Sequence, residues 1–270
     1  IIRYSEEKEM QYISVSSGSS GNCHFISDGS TKILIDAGLS GKKIERNLLE
    51  HSQELKDIQG IFVTHEHLDH IKGVGILSRR YDIPVYATEG TWRGMEEGLG
   101  NIVEKNKKII EIGASVEVGT IQLDAYSVLH DALEPCGFTI TDGRKKVSIA
   151  TDLGCVTKEV VGALQGSDLV VLESNYDDEL LRYSGYPYAL KTRLRSNQGH
   201  LSNEDAGKLS VFLVQSGINR IALAHLSKEN NHPMLAHQVV SDMMKEQLIT
   251  EKDVELSVLL RDCVSEQYIL

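Results

Sequence analysis

The segment that most constrains this chain is residues 64–70, which hold three histidines and an aspartate directly after a strongly apolar run. Ile61, Phe62 and Val63 predict a buried strand that ends where the histidines begin. Three imidazoles and a carboxylate so close together cannot share one helical face, but they can surround a point from a strand-to-helix loop. These ligand types suit zinc, manganese or iron. The segment therefore predicts a metal site, with His70 opening the next helix.

Further candidate ligands follow other predicted strands. His130 comes after the strand predicted at 121–128, Asp152 after 147–151, and His225 after 220–224. Side chains delivered from the ends of several strands meet in a crevice at one edge of an open α/β sheet. A lone histidine after a strand is more often a hydrogen-bonded loop residue. These three residues are therefore candidate ligands only in combination with the cluster at 64–70.

Hydrophobic periodicity predicts a layered α/β architecture with two sheets between helices, in one domain spanning 11–270, with 1–10 as an N-terminal extension or the start of the first strand. Strands are predicted at 11–16, 32–36, 58–64, 84–87, 115–118, 121–128, 138–141, 147–151, 169–173 and 220–224. Helices are predicted at 41–51, 70–80, 158–164, 179–181, 203–215 and 233–247.

Charge and cysteine usage restrict partners and location. The formal charge is −11, so binding to nucleic acid requires a local basic patch. The four cysteines form no CxxC pair, which argues against a disulfide framework and favours the reducing cytoplasm. All four are expected to be buried neutral thiols. No apolar run approaches the roughly 18 residues needed to span a membrane, and the polar first ten residues predict no secretory signal.

A local basic patch is present at residues 182–203, which contain no acidic residue. Its basic side chains can follow a phosphate backbone while interleaved tyrosines stack on bases. The alternative is a solvated loop whose tyrosines pack on the core. The residues concerned are Arg182, Tyr183, Tyr186, Tyr188, Lys191, Arg193 and Arg195.

The HxHxDH segment, followed by a distant His, then Asp, then His, resembles the metallo-β-lactamase superfamily from about residue 11 to 226. This resemblance implies a four-layer αββα sandwich of two mixed sheets between helices. It also implies two divalent metal ions, zinc or manganese with iron possible, one held by His65, His67 and His130. The other would be held by Asp69, His70 and His225, with Asp152 bridging both and Asp36 supporting the ligand loop. The alternative for Asp36 is a simple turn former.

Segments 16–23, 36–44 and 199–203 resemble the YycJ/WalJ-like group, which is similar to the nuclease branch containing RNase J and tRNase Z. The resemblance implies a two-metal phosphodiesterase acting on nucleic acid, specifically a 5′-to-3′ DNA exonuclease. A metal-bridging hydroxide would be the nucleophile, Asp69 would accept its proton, and His200 would contact the scissile phosphate or assist the leaving group. Lys191, Arg193, Arg195 and Tyr188 are the expected substrate-binding residues.

Several alternatives stay open at this point. The same centre can hydrolyse a small ester, thioester, lactone or cyclic nucleotide, act without turnover as a nucleic-acid-binding or sensor protein, or reduce oxygen beside a flavin partner. His200 can be an exposed loop histidine without a role. The loop at 16–22 fits a tight glycine-containing hairpin as well as it fits a phosphate contact.

Overall fold

The computed structural model describes residues 9–270, and its first strand begins at Gln11. The N-terminal extension expected at 1–10 falls mostly on residues 1–8, outside the described residues, and the single domain over 11–270 stays a prediction. Among residues 9–270, no helix is long and apolar enough to cross a membrane.

The strands of the described chain form two seven-stranded sheets. They are β1 (Gln11–Ser16), β2 (Cys23–Ser27), β3 (Lys32–Ile35), β4 (Gly60–Phe62), β5 (Val85–Ala87), β6 (Lys107–Ile109), β7 (Ser115–Val118), β8 (Ile121–Ser127), β9 (Cys136–Thr141), β10 (Lys146–Ala150), β11 (Leu169–Glu173), β12 (Arg220–Ala224), β13 (Glu255–Val258) and β14 (Tyr268–Ile269). The first sheet has the order β14-β1-β2-β3-β4-β5-β6, and the second has the order β13-β12-β11-β10-β9-β8-β7.

The helices lie outside the two sheets, and several begin at a side chain that caps the first turn. They are α1 (Gly41–Leu49), α2 (Leu68–Ile71), α3 (Val74–Tyr81), α4 (Glu89–Leu99), α5 (Lys158–Leu164), α6 (Asp178–Tyr183), α7 (Tyr188–Leu194), α8 (Asn203–Gln215) and α9 (Pro233–Glu246). Single 3₁₀ turns occur at Leu55–Asp57 and Glu104–Asn106. The cap side chains of Ser40, Thr88 and Ser202 each accept a backbone N–H of the first turn, which satisfies a donor that the helix leaves free.

Both sheets are mixed, and each has an antiparallel and a parallel part. In the first sheet β1, β2 and β3 pair antiparallel, and β3 to β6 pair parallel. In the second sheet β7 to β10 pair antiparallel, and β10 to β13 pair parallel. The carboxyl ends of parallel strands meet at one edge of a sheet, which is where such sheets place their binding sites.

Three apolar clusters separate four layers. Between the sheets, Phe62 stacks on Tyr86 at 4.4 Å between ring centroids and meets Phe138 edge-on at 5.7 Å. Leu77 lies in the cluster between the first sheet and its helices, and Leu213 lies in the cluster on the outer side of the second sheet. The predicted αββα sandwich is therefore confirmed.

Every predicted strand is present with its ends shifted by at most two residues, but four strands were missed: β2, β6, β13 and β14. Three of these, β6, β13 and β14, lie at sheet edges. Strand β6 contains two exposed or half-buried lysines, and β14 is two residues long. Neither presents the apolar run on which the strand predictions relied.

The predicted helix at 70–80 is wrong as a single element. Its first part, α2, begins at Leu68, so His70 lies inside the helix instead of opening it. The chain breaks at Gly73, whose N–H donates to Ala37 O at 2.7 Å and so leaves the helical hydrogen-bond pattern. A side chain at this position would lie 2.5 Å from Leu39 O, which explains why a glycine separates α2 from α3.

Candidate metal centre

The ligand loop follows β4 and is held by Asp36, which follows β3. The Asp36 carboxylate accepts hydrogen bonds from the Thr64 backbone N–H and the Thr64 hydroxyl, each at 2.9 Å. Its Oδ2 also lies 2.7 Å from His70 Nδ1. Asp36 is buried, and its carboxylate oxygens are taken up by Thr64 and His70, so it holds the ligand loop in this structure. Its role in supporting metal ligands stays a prediction.

Three residues at the centre turn the chain sharply where a strand ends. The backbone φ is 59° at Asp36 after β3, 58° at Asp152 after β10 and 55° at His225 after β12. Few residues other than glycine adopt this left-handed region, although Asp and His tolerate it better than most. Each such turn costs about 1–3 kcal/mol and persists where the surroundings hold it. Three of the six such non-glycine residues among the described residues therefore lie at the centre.

The first donor set consists of His65, His67 and His130, whose ring nitrogens lie within 4.8 Å of one another. His130 Nε2 is 3.3 Å from His67 Nδ1. His130 Nδ1 lies 3.0 Å from the Gly199 carbonyl oxygen, which can only accept, so Nδ1 carries the proton. The lone pair of Nε2 is therefore directed to the shared point.

The second donor set consists of Asp69, His70 and His225. Asp69 Oδ2 is 3.6 Å from His70 Nε2 and 3.7 Å from His225 Nε2. Both imidazoles place Nδ1 2.7 Å from a buried carboxylate oxygen, Asp36 Oδ2 for His70 and Glu173 Oε1 for His225. Each ring thus directs Nε2 towards the donor set. His225 Nε2 has no partner among the described residues, whereas an ion at His70 Nε2 would replace its contact with Asn22 Nδ2 at 3.0 Å.

Asp152 lies between the two sets. Its Oδ2 is 3.3 Å from His70 Nε2, and its Oδ1 is 3.7 Å from His130 Nε2. One carboxylate oxygen therefore faces each set, which is the position expected of a bridging ligand.

The donors present fit two divalent ions. Buried atoms without a hydrogen-bond partner among the described residues include His65 Nε2, Asp152 Oδ2 and His225 Nε2. Leaving a buried polar atom unpaired costs about 1–3 kcal/mol, which an ion would offset. Two donors bonded to one ion at about 2.1 Å in tetrahedral geometry lie about 3.4 Å apart. The closest donor separations within these sets run from 3.3 to 3.7 Å.

The electrostatic environment also favours cations. Burial lowers the pKa of His65 well below its ordinary range, and the neighbouring imidazoles lower it further. Burial opposes the charged form of His70 too, but the carboxylates around it, led by Asp152 and Asp36, raise its pKa to about 9. A metal ion binds the deprotonated ligands and takes the place of such a proton.

Glu173, the last residue of β11, is a buried residue of the centre that the sequence analysis did not identify. Its Oε1 lies 2.8 Å from His200 Nδ1 and 2.7 Å from His225 Nδ1. Its Oε2 accepts the backbone N–H groups of Leu153 at 2.7 Å and Leu201 at 3.1 Å. Burial favours the neutral acid, but His200 and His225 outweigh it and hold the pKa of Glu173 below its usual range.

His200 is brought to the centre. Besides its contact with Glu173, its Nδ1 is 3.6 Å from Asp152 Oδ1, and its ring centroid is 5.0 Å from that of His130. It is 16% exposed, so it is reachable from outside, unlike His225 at 2%. Since Nδ1 is held by Glu173, Nε2 is the ring nitrogen left for a substrate.

The loop between β1 and β2 joins two antiparallel strands, as the hairpin interpretation requires, and it also contacts the donors. Asn22 Nδ2 lies 3.0 Å from His70 Nε2 and 3.4 Å from Asp69 Oδ2. The Ser17 hydroxyl accepts the His225 backbone N–H at 2.9 Å. This supporting role was not predicted, and the contact of the loop with phosphate stays a prediction.

The four expected substrate-binding residues differ in how near they lie to the centre. Arg193 pairs with Asp131, the residue after His130. Lys191 Nζ donates to the carbonyls of Arg182 and Ser184, at 2.7 and 2.8 Å.

The remaining two lie at either end of α7. Arg195 Nε donates to Asp178 Oδ1 at 2.8 Å. Tyr188 is 85% exposed at the start of α7, so its ring is open to solvent instead of packing on the core.

Known proteins resemble this chain in sequence. A family model described as a beta-lactamase superfamily domain matches residues 31–226. Exodeoxyribonuclease YycJ of Bacillus anthracis is 41% identical over 232 residues, covering 86% of this chain and 88% of that protein. Exodeoxyribonuclease WalJ of Streptococcus pneumoniae is 39% identical over 236 residues, covering 87% of this chain and 88% of that protein.

A solved structure agrees in fold. The metallo-beta-lactamase fold protein YhfI from Bacillus subtilis matches with a TM-score of 0.68, over 95% of this chain and 99% of that chain. Its sequence identity is 15%, so this likeness concerns the fold alone.

Proposed function

Because this chain belongs to the beta-lactamase superfamily, we propose that it is a binuclear metal-dependent phosphodiesterase that acts as an exonuclease on DNA. The observation that carries the proposal is the pair of donor sets joined at Asp152, with His200 beside them. The names of its relatives in Bacillus anthracis and Streptococcus pneumoniae support DNA as the substrate. The proposal extends to 5′-to-3′ polarity and to a cytoplasmic location, which four unpaired cysteines support.

Each donor set would hold one divalent ion. His65, His67 and His130 would hold the first ion, Asp69, His70 and His225 would hold the second, and Asp152 would serve both. When bound, two divalent ions lower the pKa of water and offset the charge of a phosphate group.

Two side chains of the chain move protons in the hydrolysis. A water oxygen attacks phosphorus while the bond from phosphorus to the leaving sugar oxygen breaks on the opposite side. Asp69 accepts the proton of the attacking water, since its side chain is 27% exposed whereas that of Asp152 is 4% exposed. His200 gives a proton to the leaving oxygen, with its ring oriented by Glu173.

Residues of α7 and the segment after it would hold the strand. Arg193 lies beside the first donor set through Asp131 and would contact a phosphate near the scissile one. Lys191 and Arg195 would follow the backbone, and the exposed ring of Tyr188 would stack on a base. Together they favour a single strand or a frayed end.

Digestion of end-labelled DNA by manganese- or zinc-loaded protein tests the activity. Wild type is expected to release labelled nucleotides, and Asp69→Ala or His67→Ala should lower the rate by about 100-fold or more. His237→Ala is the matched control, because His237 is an exposed histidine of α9 outside both donor sets, and it should equal wild type. Intact DNA and RNA with fully loaded wild type would show that the chain is not a nuclease.

The position of the label tests polarity. A 5′-labelled strand should yield labelled mononucleotide at once, whereas a 3′-labelled strand should shorten through a ladder of labelled fragments. The reverse pattern contradicts 5′-to-3′ polarity, and cleavage of RNA with DNA left intact contradicts the assignment to DNA.

A further inference from the structure

A cavity of about 520 Å³ lies beside the centre and shares two loops with it. Gly154 and Cys155 line the cavity and follow Asp152 by two and three residues, which is at most about 11 Å of chain. Leu201 also lines it and directly follows His200. His200 contacts Glu173 of the centre, whereas the next residue, Leu201, lines the cavity.

Helix α8 supplies the opposite wall with a single stripe of side chains. Asp205, Lys208, Leu209 and Phe212 all line the cavity, and their spacing of three, four and seven residues places them on one face of the helix. Leu209 is 4% exposed and belongs to the core, whereas Phe212 is 43% exposed. An aromatic ring is thus left partly uncovered in a concave, mainly apolar site of a size that suits a small ligand.

Two cations complete the cavity. Arg195 pairs with Asp178, and Lys208 Nζ lies 2.8 Å from Asp205 Oδ1. Exposed pairs of this kind contribute at most about 1 kcal/mol, so a phosphate can replace either carboxylate at little cost. An aromatic ring with apolar walls and nearby cations matches the two parts of a nucleotide, since a base can stack on the ring while its phosphate meets a cation.

We propose that this cavity, the base pocket, binds one nucleobase of the nucleic-acid strand, stacked on Phe212, a few nucleotides from the phosphate at the metal centre. The inference rests on the proposed nuclease function and deepens it by assigning a site to the unreacted part of the strand. Because the cavity and the centre share the loops that carry Asp152 and His200, a base held here fixes the distance to the reacting phosphate.

Binding of a fluorescent phosphorothioate oligothymidylate, which resists hydrolysis, tests the base pocket by anisotropy with metal-loaded protein. A series of strands is compared in which each strand lacks the base of one nucleotide, at a position that moves stepwise from the labelled end. In wild type one position should weaken binding by about 5-fold or more, the range for loss of a base–aromatic stack. Phe212→Ala should bind the intact strand as weakly as wild type binds the strand that lacks this base. Removal of the base should then cause no further loss of affinity in Phe212→Ala. Phe212→Trp should lose affinity on removal of the base, as wild type does.

Leu49→Ala is the matched control, because Leu49 is an exposed apolar residue of α1 lining a different surface cavity beside Lys42 and Lys43. It should bind every strand as wild type does. The base pocket is overturned if Phe212→Ala keeps wild-type affinity, if its sensitivity to the missing base persists, or if Leu49→Ala weakens binding as much. A change from dimer to monomer in Phe212→Ala with unchanged affinity would assign the face to self-association instead.

Digestion of ordinary labelled DNA by the same samples separates the two proposals. A wild type that digests DNA while Phe212→Ala binds and digests equally well overturns the base pocket alone. A wild type that shows the position-dependent binding but leaves DNA and RNA intact overturns the nuclease alone. A wild type that binds no strand overturns both.

Discussion

At the scale of single residues, the centre depends on which ring nitrogen each imidazole keeps free. His70 and His225 both hold Nδ1 against a buried carboxylate, Asp36 and Glu173 respectively. A hydrogen bond of this kind fixes the tautomer and the ring orientation, so the ligand nitrogen is directed before an ion arrives. Glu173 does this for His200 as well, which links the second donor set to the proton donor of the proposed reaction.

Replacing Glu173 by Gln tests this link. The amide cannot accept hydrogen bonds at both atoms, so the two backbone N–H groups and the two imidazoles compete for one oxygen. We expect metal affinity and kcat each to fall by about 10- to 100-fold.

Metal titration by calorimetry and rates at saturating metal, measured across pH, separate the two effects. Glu104→Gln changes an exposed carboxylate on the 3₁₀ turn Glu104–Asn106 and serves as the control. Unchanged metal affinity, kcat and pH profile in Glu173→Gln would deny Glu173 its positioning role.

Residues directly after apolar strands were predictable from the sequence, because a strand end sets where the next side chain points. His65, His130, Asp152 and His225 were identified in that way, although their sharing of two ions came from the family resemblance. Glu173 was missed because it is the last residue of its strand, and no pattern distinguishes a strand end that reaches the site from one that does not. Only the sheet register, which pairs Glu173 with Ala224 directly before His225, reveals its position.

The cysteines required a correction. Cys23 and Cys136 are buried as expected, but Cys155 is half-buried and Cys263 is exposed, so the expectation of four buried thiols is wrong. Cys155 lines the base pocket, and Cys263 lies in the segment after β13, where the core gives no cover.

Alkylation rates by iodoacetamide at pH 8 should follow this order of burial. Burial raises the pKa of the Cys23 and Cys136 thiols, so both should stay unmodified in the folded protein. Cys263 should react first and Cys155 more slowly, as measured by mass spectrometry of digests. All four should react in concentrated guanidinium, and rapid modification of Cys23 without denaturant would contradict the buried position.

At the scale of elements, three loops meet at the centre through their backbones. Asn22 N–H donates to Asp69 O at 2.7 Å, Gly38 N–H to Asn22 O at 2.8 Å, and Ala37 N–H to His70 O at 2.8 Å. The loops after β1, β3 and β4 are thus bonded to one another before any side chain is considered. A side chain on Gly38 would lie 1.6 Å from Asp69 O, so the approach requires glycine.

Gly38→Ala should therefore disturb Asp69 and His70 without altering a donor. We expect a loss of about 1–3 kcal/mol in the free energy of unfolding, as for other overpacked sites, together with weaker binding of the second ion. Gly162→Ala in the exposed part of α5 meets nothing within 4 Å and should gain up to about 1 kcal/mol.

Urea unfolding of both variants and metal content after dialysis give the two readouts. If Gly38→Ala is as stable as wild type and retains two ions, the contact among the three loops does not constrain the centre.

Helices and strands were predictable where apolar residues recur at a regular spacing. Their prediction failed where that spacing is interrupted. Helix α4 was missed because its three glycines are unfavourable in a helix. Two of them, Gly90 and Gly94, lie one turn apart and let Glu134 and Glu66 approach closely. Helix α7 was missed because all its residues are exposed or half-buried, so it has no apolar stripe to detect.

At the scale of the whole molecule, the centre joins the two sheets. His65, His67, Asp69 and His70 come from the end of β4 in the first sheet, whereas Asp152 and His225 follow strands of the second. Each ion would therefore cross-link the two halves of the sandwich. Periodicity indicated two sheets between helices, and the family resemblance implied the αββα order, but neither shows which sheet each strand joins.

Removal of metal should lower the stability of the entire fold. An ion present at 100 times its Kd contributes about 2.7 kcal/mol, which corresponds to roughly 5 °C or more in Tm for a chain of this size. Calorimetry with and without chelator should show this shift in wild type and in His237→Ala, and a smaller shift in His67→Ala. A wild-type Tm that does not change on chelation would mean that no ion joins the sheets.

The spread of the donors along the chain has a consequence for biosynthesis. A ribosome releases His65, His67, Asp69 and His70 early, but Asp152 and His225 emerge only after most of the chain is made. The early donors alone offer an incomplete set for either ion, since the first set also needs His130 after β8 and the second also needs His225 after β12. Tight capture of the second ion therefore has to wait until β12 joins the second sheet. Until then the nascent chain is expected to hold this ion loosely, and the enzyme acquires its activity at a late step of its own synthesis.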